Sequence, residues 1–296
     1  MKILMIGNKD SGKTTCMASA YSVIRAGIEG FSVMTDGETD RLYRRLYDRI
    51  LTGQYPVATD KRSSYSFDLC YKQQPVLHFD WIDYNGGIIN TFDADDLMAD
   101  INDAEGLMLF FDAQALRDDE AKVHQMRRII SLLSRRIAAA QEGLLSILIV
   151  VTKADKLRSE AEYWRVVEPL KAFSDSLEDN QHVYARVVPV SCTEKGMRNV
   201  DLPLLDILDS GMAMENLNRM ITLQETMERA SKYNDSRGIV DWMVSRLFGV
   251  KTNGELAEEE LEKAKAGADE LEKLIEPWKK LKAYIREYPL WMPDGL

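Results

Sequence analysis

The chain of 296 residues is 45% hydrophobic with a formal charge of -10, an ordinary composition for one large globular domain or a domain with an extension. Its negative balance works against non-specific binding to nucleic acid or anionic membrane, both of which need a positive field. Three cysteines, Cys16, Cys70 and Cys192, lack C-x-x-C spacing and fit a reducing cytoplasm, and no run approaches the ~18 apolar residues of a membrane span.

The chain opens on an apolar strand, Ile3 to Ile6, that runs into Gly7-Asn8-Lys9-Asp10-Ser11-Gly12-Lys13-Thr14. This is the spacing G-x-x-x-x-G-K-[ST] at every fixed position, between a strand and a helix, where the motif needs to be. The glycines let several backbone N–H groups point at a phosphate chain, and the helix start adds the positive end of its dipole. Lys13 would reach the β and γ phosphates, and the Thr14 hydroxyl would ligate Mg²⁺. Thr14 to Ala26 then reads as a helix closed by Gly27 and Gly30.

A second helical pattern covers Glu38 to Leu51, and Gly53 to Arg62 reads as loop. Two alternating stretches, Phe67/Leu69/Tyr71 and Leu77/Phe79/Trp81, predict a β-hairpin with the four-residue connection Lys72 to Pro75. A glycine turn at Gly86-Gly87 precedes a short helix near Asp95 to Ile101, and Gly106 to Phe111 reads as a buried strand. Asp118 to Ala139 is amphipathic, with Val123, Met126, Ile130, Leu133 and Ile137 inward and Arg127, Arg128, Arg135 and Arg136 on a solvated face. Leu145 to Val151 and Val187 to Val190 read as further strands. Alternating strands and helices predict an α/β fold with a mainly parallel sheet, helices on both faces and a helical C-terminal extension.

Three more stretches carry chemistry. Asp83-Tyr84-Asn85-Gly86 ends a strand with a carboxylate that can hold Mg²⁺ through water and a glycine N–H that can meet a γ-phosphate. Here the sequence resembles the Ras-like P-loop GTPases, whose second phosphate motif is D-x-x-G. Thr152-Lys153-Ala154-Asp155 matches the family's N/T-K-x-D, which implies that Asp155 accepts two hydrogen bonds from guanine; adenine lacks that pair of donors. Ser191-Cys192-Thr193 resembles the family's S-A-x, with the backbone near Cys192 against the base and the Cys192 side chain as a pocket wall.

The resemblance thus implies a GTP/GDP site built from Gly7, Asp10, Ser11, Gly12, Lys13, Thr14, Thr15, Thr152, Lys153, Asp155, Ser191 and Cys192. Mg²⁺ would be held by Thr14, Asp83 and a switch threonine. Thr59 is chosen for that role because it lies in unpatterned loop, whereas Thr35, Thr39 and Thr52 sit beside or within helices. Lys13, Thr59 and Gly86 would act on the γ-phosphate. The Asp-Tyr-Asn-Gly-Gly stretch and the Thr-Asp-Lys-Arg loop also resemble a bacterial group called double-GTPase proteins.

Two departures from the family bear on rate. Gly87 stands where a glutamine often orients the attacking water, and Lys9 and Asp10 stand where small residues are frequent. Slow intrinsic hydrolysis follows, and a missing group can come in trans from a protein activator or effector, or from a second copy of the chain. A GTP-binding scaffold without useful hydrolysis is the alternative that Gly87 favours; a P-loop phosphotransferase is opposed by the T-K-x-D motif. The resemblance covers residues 1–232, including a helix from Met214 to Ala230 with Leu217, Ile221 and Met227 on one face. Residues 233–296 form the extension: a short pattern from Ile239 to Phe248, and a long one from Leu256 to Tyr288 that Pro277 should kink or divide. Its seam of Leu261, Ala264, Ala268, Leu271, Ile275 and Trp278 is expected to pack within the chain, and the Tyr288, Leu290, Trp291, Met292 cluster is the part expected to meet another protein. The histidines His78, His124 and His182 are expected to be structural or exposed.

Overall fold

A computed structural model of the chain describes residues 1–56, 62–84, 95–139, 144–180, 182–231 and 258–293. Thr59, the Asn85-Gly86-Gly87 turn and the Ile239 to Phe248 pattern lie outside them. A seven-stranded sheet runs in the order β2-β3-β4-β1-β5-β6-β7. Its strands are β1 (Lys2–Gly7), β2 (Phe31–Met34), β3 (Ser63–Tyr71), β4 (Gln74–Asp83), β5 (Gly106–Asp112), β6 (Leu145–Thr152) and β7 (Val183–Pro189). Only β3 is antiparallel to its neighbours. The helices are α1 (Lys13–Arg25), α2 (Gly37–Leu51), α3 (Asp95–Asp103), α4 (Ala113–Asp118), α5 (Glu120–Ala139), α6 (Glu160–Asp175), α7 (Leu202–Ser231) and α8 (Glu258–Glu287). Among the described residues, no helix is long and apolar enough to cross a membrane.

Parallel strands buried on both sides read as unbroken apolar runs, which is why β1, β5 and β6 stand out in the sequence. Register puts Leu4 beside Ile82 and Leu107, and Leu107 beside Ile147. This row packs with Ile101, Met126, Leu133 and Val167 of α3, α5 and α6 in one core. On the other face Phe67 meets Phe79, Trp81, Tyr21 and Tyr43 at ring-centroid distances of 5.4–5.9 Å, tying α1 and α2 down. Helices therefore cover both faces, as the alternating pattern requires.

Local chemistry sets the boundaries. Asp36 caps α2, accepting from the N–H groups of Glu38 (2.8 Å) and Thr39 (3.0 Å), and a bond with the Thr39 side chain, then these backbone bonds, hold its carboxyl down at about 2. The far end of α2 closes with Gly53 at φ +75°, where Gln54 N–H donates to Arg49 O (2.8 Å) and Gly53 N–H to Ile50 O (2.9 Å). This is a Schellman stop, and it needs glycine. Ser159 caps α6 by accepting from Glu162 N–H at 3.2 Å.

Several elements differ from the sequence-based expectations. The β3–β4 connection is the two residues Lys72 and Gln73, both at positive φ (48° and 67°). The strands pair out to Tyr71 and Gln74, because a turn of that hand matches the strand twist even without Asn-Gly. The short edge strand β2 and the hairpin of β8 (Ser191–Thr193) and β9 (Gly196–Arg198) are too brief to show a period. Pro277 lies within α8 without dividing it, and among its described side chains the buried positions are Ala268, Leu271, Leu274, Pro277, Leu281 and Ile285 rather than Ile275 and Trp278. In α7, Leu217 and Ile221 are each 48% exposed, on the solvent side instead of the inner one.

The chain divides into two compact units, Met1–Gly211 with Tyr284–Leu296, and Met212–Ala283. In the second, Leu223 of α7 closes on Gly267 of α8, where an added Cβ would stand 3.1 Å from its Cδ1. In the first, the aromatic end of the chain packs inward. The Tyr284 and Tyr288 hydroxyls both donate to Asp201 (2.9 Å each). Asn199 Nδ2 donates to the carbonyls of Pro189 and Trp291 (2.8 Å each), while Trp291 N–H donates to Asn199 Oδ1 at 3.1 Å. Trp291 and Met292 then lie partly buried against the core.

Asn199 holds this strap from φ +53°, so Asn199→Ala should cost about 2–4 kcal/mol in lost bonds and strained backbone. Asn199→Gly, which relieves the strain, should cost less. Urea midpoints of the two variants check this, and equal losses would remove the backbone part of the account.

Candidate functional site

The carboxyl ends of the parallel strands gather on one edge, where open α/β sheets bind ligands. Gly7 ends β1, Asp83 ends β4, Asp112 ends β5 and Thr152 ends β6. Between them opens a cleft of about 330 Å³ lined by Lys9 to Thr15, Tyr55, Pro56, Thr152, Lys153, Asp155, Lys156, Cys192 and Thr193. Three separated sequence motifs therefore share one cavity.

The loop from Gly7 to Lys13 depends on its glycines. A Cβ on Gly7 would stand 2.7 Å from Ser11 Oγ and 2.8 Å from the Phe110 carbonyl, and Gly12 has φ +82°. Lys13 Nζ donates to the carbonyls of Gly7 (2.9 Å) and Asn8 (3.3 Å), curling the loop around its own ammonium. Burial holds that ammonium below its ordinary range, and the nearby carboxylates of Asp83 and Asp10 partly oppose the shift. Asp83 is itself buried at 3% exposure, while Lys9 and Asp10 are exposed.

The loop after β6 is bonded to this one. Thr152 Oγ1 donates to the Ser11 carbonyl at 2.8 Å, so the threonine in place of asparagine still ties the two motifs together. Lys153, at φ +53°, donates through Nζ to Asp112 Oδ2 (2.6 Å) and to the Asp10 carbonyl (3.2 Å). Asp155 points one oxygen at Ser191, whose hydroxyl donates at 2.8 Å, and Lys156 Nζ lies 3.4 Å from the other. With one neighbour on each oxygen, the carboxylate keeps further acceptor capacity for a ligand.

Cys192 lines the cleft, and a hydrogen bond with it, added to burial, pushes the Cys16 thiol of α1 well above its ordinary range. A thiol so raised is a packing group and a poor nucleophile. Of the sequence-derived set, Asp10, Ser11, Gly12, Lys13, Thr14, Thr15, Thr152, Lys153, Asp155 and Cys192 meet at the cleft. Gly7 and Ser191 stand behind it as partners of Lys13 and Asp155. Thr59 and Gly86 lie outside the described residues.

Sequence reasoning missed Tyr55, Pro56, Asp112 and Glu194. Asp112 carried a legible signal, an acid at the end of the apolar run Gly106 to Phe111. Glu194 reaches the site only by donation from Tyr55, whose hydroxyl lies 2.6 Å from its Oε2.

No protein-family profile matches the chain, and no curated protein matches it. Among solved structures it is similar to the S. cerevisiae Ski7 GTPase-like domain bound to GTP, at 14% identity and TM-score 0.40 over 65% of this chain and 42% of that one. It is also similar to the Arl6 BBS3 small GTPase from Trypanosoma brucei with bound GppNp, at 12% identity and TM-score 0.46 over 72% and 98%. A third is the translation elongation factor SelB from Methanococcus maripaludis in complex with GppNHp, at 16% identity and TM-score 0.42 over 70% and 33%. The chain thus spans less than half of the Ski7 and SelB chains.

Strand order and loop position, taken from the chain itself, define an α/β fold with a mainly parallel sheet and its candidate site at one edge.

Proposed function

We propose that the chain is a Mg²⁺-dependent GTP-binding and GTP-hydrolysing switch with slow intrinsic turnover, carried by residues 1–232, with 233–296 as a helical extension. The observation that supports this is the single cleft shared by the phosphate loop, Asp155 and Cys192. Backbone N–H groups of the loop and Lys13 would bind the phosphates, and Asp155, aimed by Ser191, would read the guanine edge. A cytoplasmic location and the finer likeness to the double-GTPase group belong to the same reading.

The donors available fit a hard cation. Thr14 offers a hydroxyl and Asp83 a buried carboxylate, both oxygen, and among the described residues no group of three or more His, Cys, Asp or Glu gathers. Mg²⁺ suits such a site because it takes one or two carboxylates and completes its shell with phosphate oxygens and water. Held by Thr14 and Asp83, Mg²⁺ would supply positive charge to offset that of the phosphates. Thr59 is proposed as the switch ligand and Gly86 as the γ-phosphate donor.

Calorimetric titration with GDP, a non-hydrolysable GTP analogue and its ATP counterpart, each with Mg²⁺, tests the reading. Guanine nucleotides should bind far more tightly; equal ATP binding overturns it. Turnover should be on the order of 10⁻⁴ to 10⁻² s⁻¹, because Gly87 can offer only its backbone to the attacking water. Single-turnover hydrolysis across a range of protein concentrations checks the rate. A rate that climbs with concentration would locate the missing group on a second copy, and fast, concentration-independent turnover would refute slow chemistry. Gly87→Gln should raise the rate.

A further inference from the structure

Tyr55 follows the Schellman stop of α2, and Glu194 lies in the turn between β8 and β9, yet the Tyr55 hydroxyl donates to Glu194 Oε2 at 2.6 Å. The bond joins segments 139 residues apart. Tyr55 lines the same cleft as Asp155, Lys156, Cys192 and Thr193, and Glu194 directly follows Thr193 in the chain. Tyr55 is 45% exposed, so neither a core nor a crowded loop forces the contact. Gly53, at φ +75° with nothing within 4 Å of an added Cβ, sets the direction in which the chain leaves α2 toward Glu194.

We propose that Tyr55 and Glu194 form a clasp across the base end of the cleft, and that its opening sets how fast a bound nucleotide leaves. The inference rests on the nucleotide reading above and adds to it a release step assigned to two residues outside the motifs. An occupant seated against Asp155 would share the cleft with Tyr55, which the bond to Glu194 holds in place. Breaking this one hydrogen bond frees the Tyr55 side chain from the β8–β9 turn. The electrostatics favour the closed pair near neutral pH. The Tyr55 phenol is pushed up to about 12, first by its bond to Glu194 and then by burial. The Glu194 carboxyl is held below its ordinary range, first by that same bond and in smaller part by Lys195 and Lys156. The donor thus keeps its proton and the acceptor its charge. Both residues are positioning groups that touch the walls of the site and leave the reacting atoms alone.

Release of a ribose-labelled fluorescent GDP from the full chain, chased with unlabelled GDP in stopped flow, is the experiment. Tyr55→Phe keeps the ring and removes only the hydroxyl, so release should accelerate about three- to tenfold, the range of one net hydrogen bond, with the association rate unchanged. Glu194→Ala should match it, Glu194→Gln, which retains an acceptor, should fall between, and the double variant Tyr55→Phe/Glu194→Ala should release no faster than either single one. A melting temperature unchanged in Tyr55→Phe separates the clasp from a stability effect. Release at the wild-type rate in Tyr55→Phe, or single effects that multiply in the double variant, overturns the clasp while leaving the nucleotide reading intact. A wild-type chain that fails to bind the labelled GDP overturns both.

Discussion

Asp155→Asn should weaken GTP binding by about 10²- to 10⁴-fold, the loss of two hydrogen bonds to a charged acceptor at about 1.5–3 kcal/mol each. The same variant should improve xanthosine triphosphate, whose C2 carbonyl suits an amide donor. The site is arranged for this test. Ser191 already donates to Asp155 Oδ1 at 2.8 Å, and in the variant that hydroxyl still has the amide oxygen to bond, so the amide nitrogen is the end turned to the base. Paired titrations of wild type and variant with both nucleotides check the exchange. Loss of GTP binding without gain of xanthosine triphosphate would mean that the substitution damages the loop instead of changing what it reads.

Lys13→Ala should lower GTP affinity by about 10- to 150-fold, corresponding to one charge-assisted contact of about 1.5–3 kcal/mol. Two effects add here. The ammonium is the cation proposed to meet the phosphates, and its bonds to the carbonyls of Gly7 and Asn8 hold the loop curled. A Met at the same position fills the space of the side chain and restores neither charge nor bonds, so it separates both from the loss of packing. Lys13→Met should therefore be as weak as Lys13→Ala for the triphosphate, with a thermal midpoint closer to wild type. Unchanged affinity in both variants would show the loop to be vestigial.

Much of the fold was legible because its signals are local. Ile3 to Ile6, Gly106 to Phe111 and Leu145 to Val151 are strands buried on both sides, and burial on both sides leaves no polar interruptions. The α5 stripe gave its inner face through Met126, Leu133 and Ile137, all buried. The elements that escaped are short or stabilised from a distance. β2 has four residues and owes its place to pairing with β3. The α7 pattern misled in the opposite direction, since Leu217 and Ile221 repeat at helical spacing yet face solvent; a period says which residues share a face and not which way the face points.

For the site, the amino-acid sequence by itself marked the proposed phosphate loop, because Gly7, Gly12, Lys13 and Thr14 would act through backbone geometry and charge within eight neighbouring positions. It also marked Asp83, Thr152, Lys153 and Asp155 as strand-end residues of the right kinds. Only the tertiary structure decided that these segments meet: Thr152 bonds to Ser11, Lys153 to Asp112 and Asp10, and Ser191 to Asp155. It alone brought Tyr55 to Glu194 and turned the Trp291 end of the chain onto Asn199. Those partners are far apart in the chain and of common residue types. Their encounter follows from strand order and helix stops, which place loop ends within hydrogen-bond reach, and no spacing rule along the sequence records such a distance.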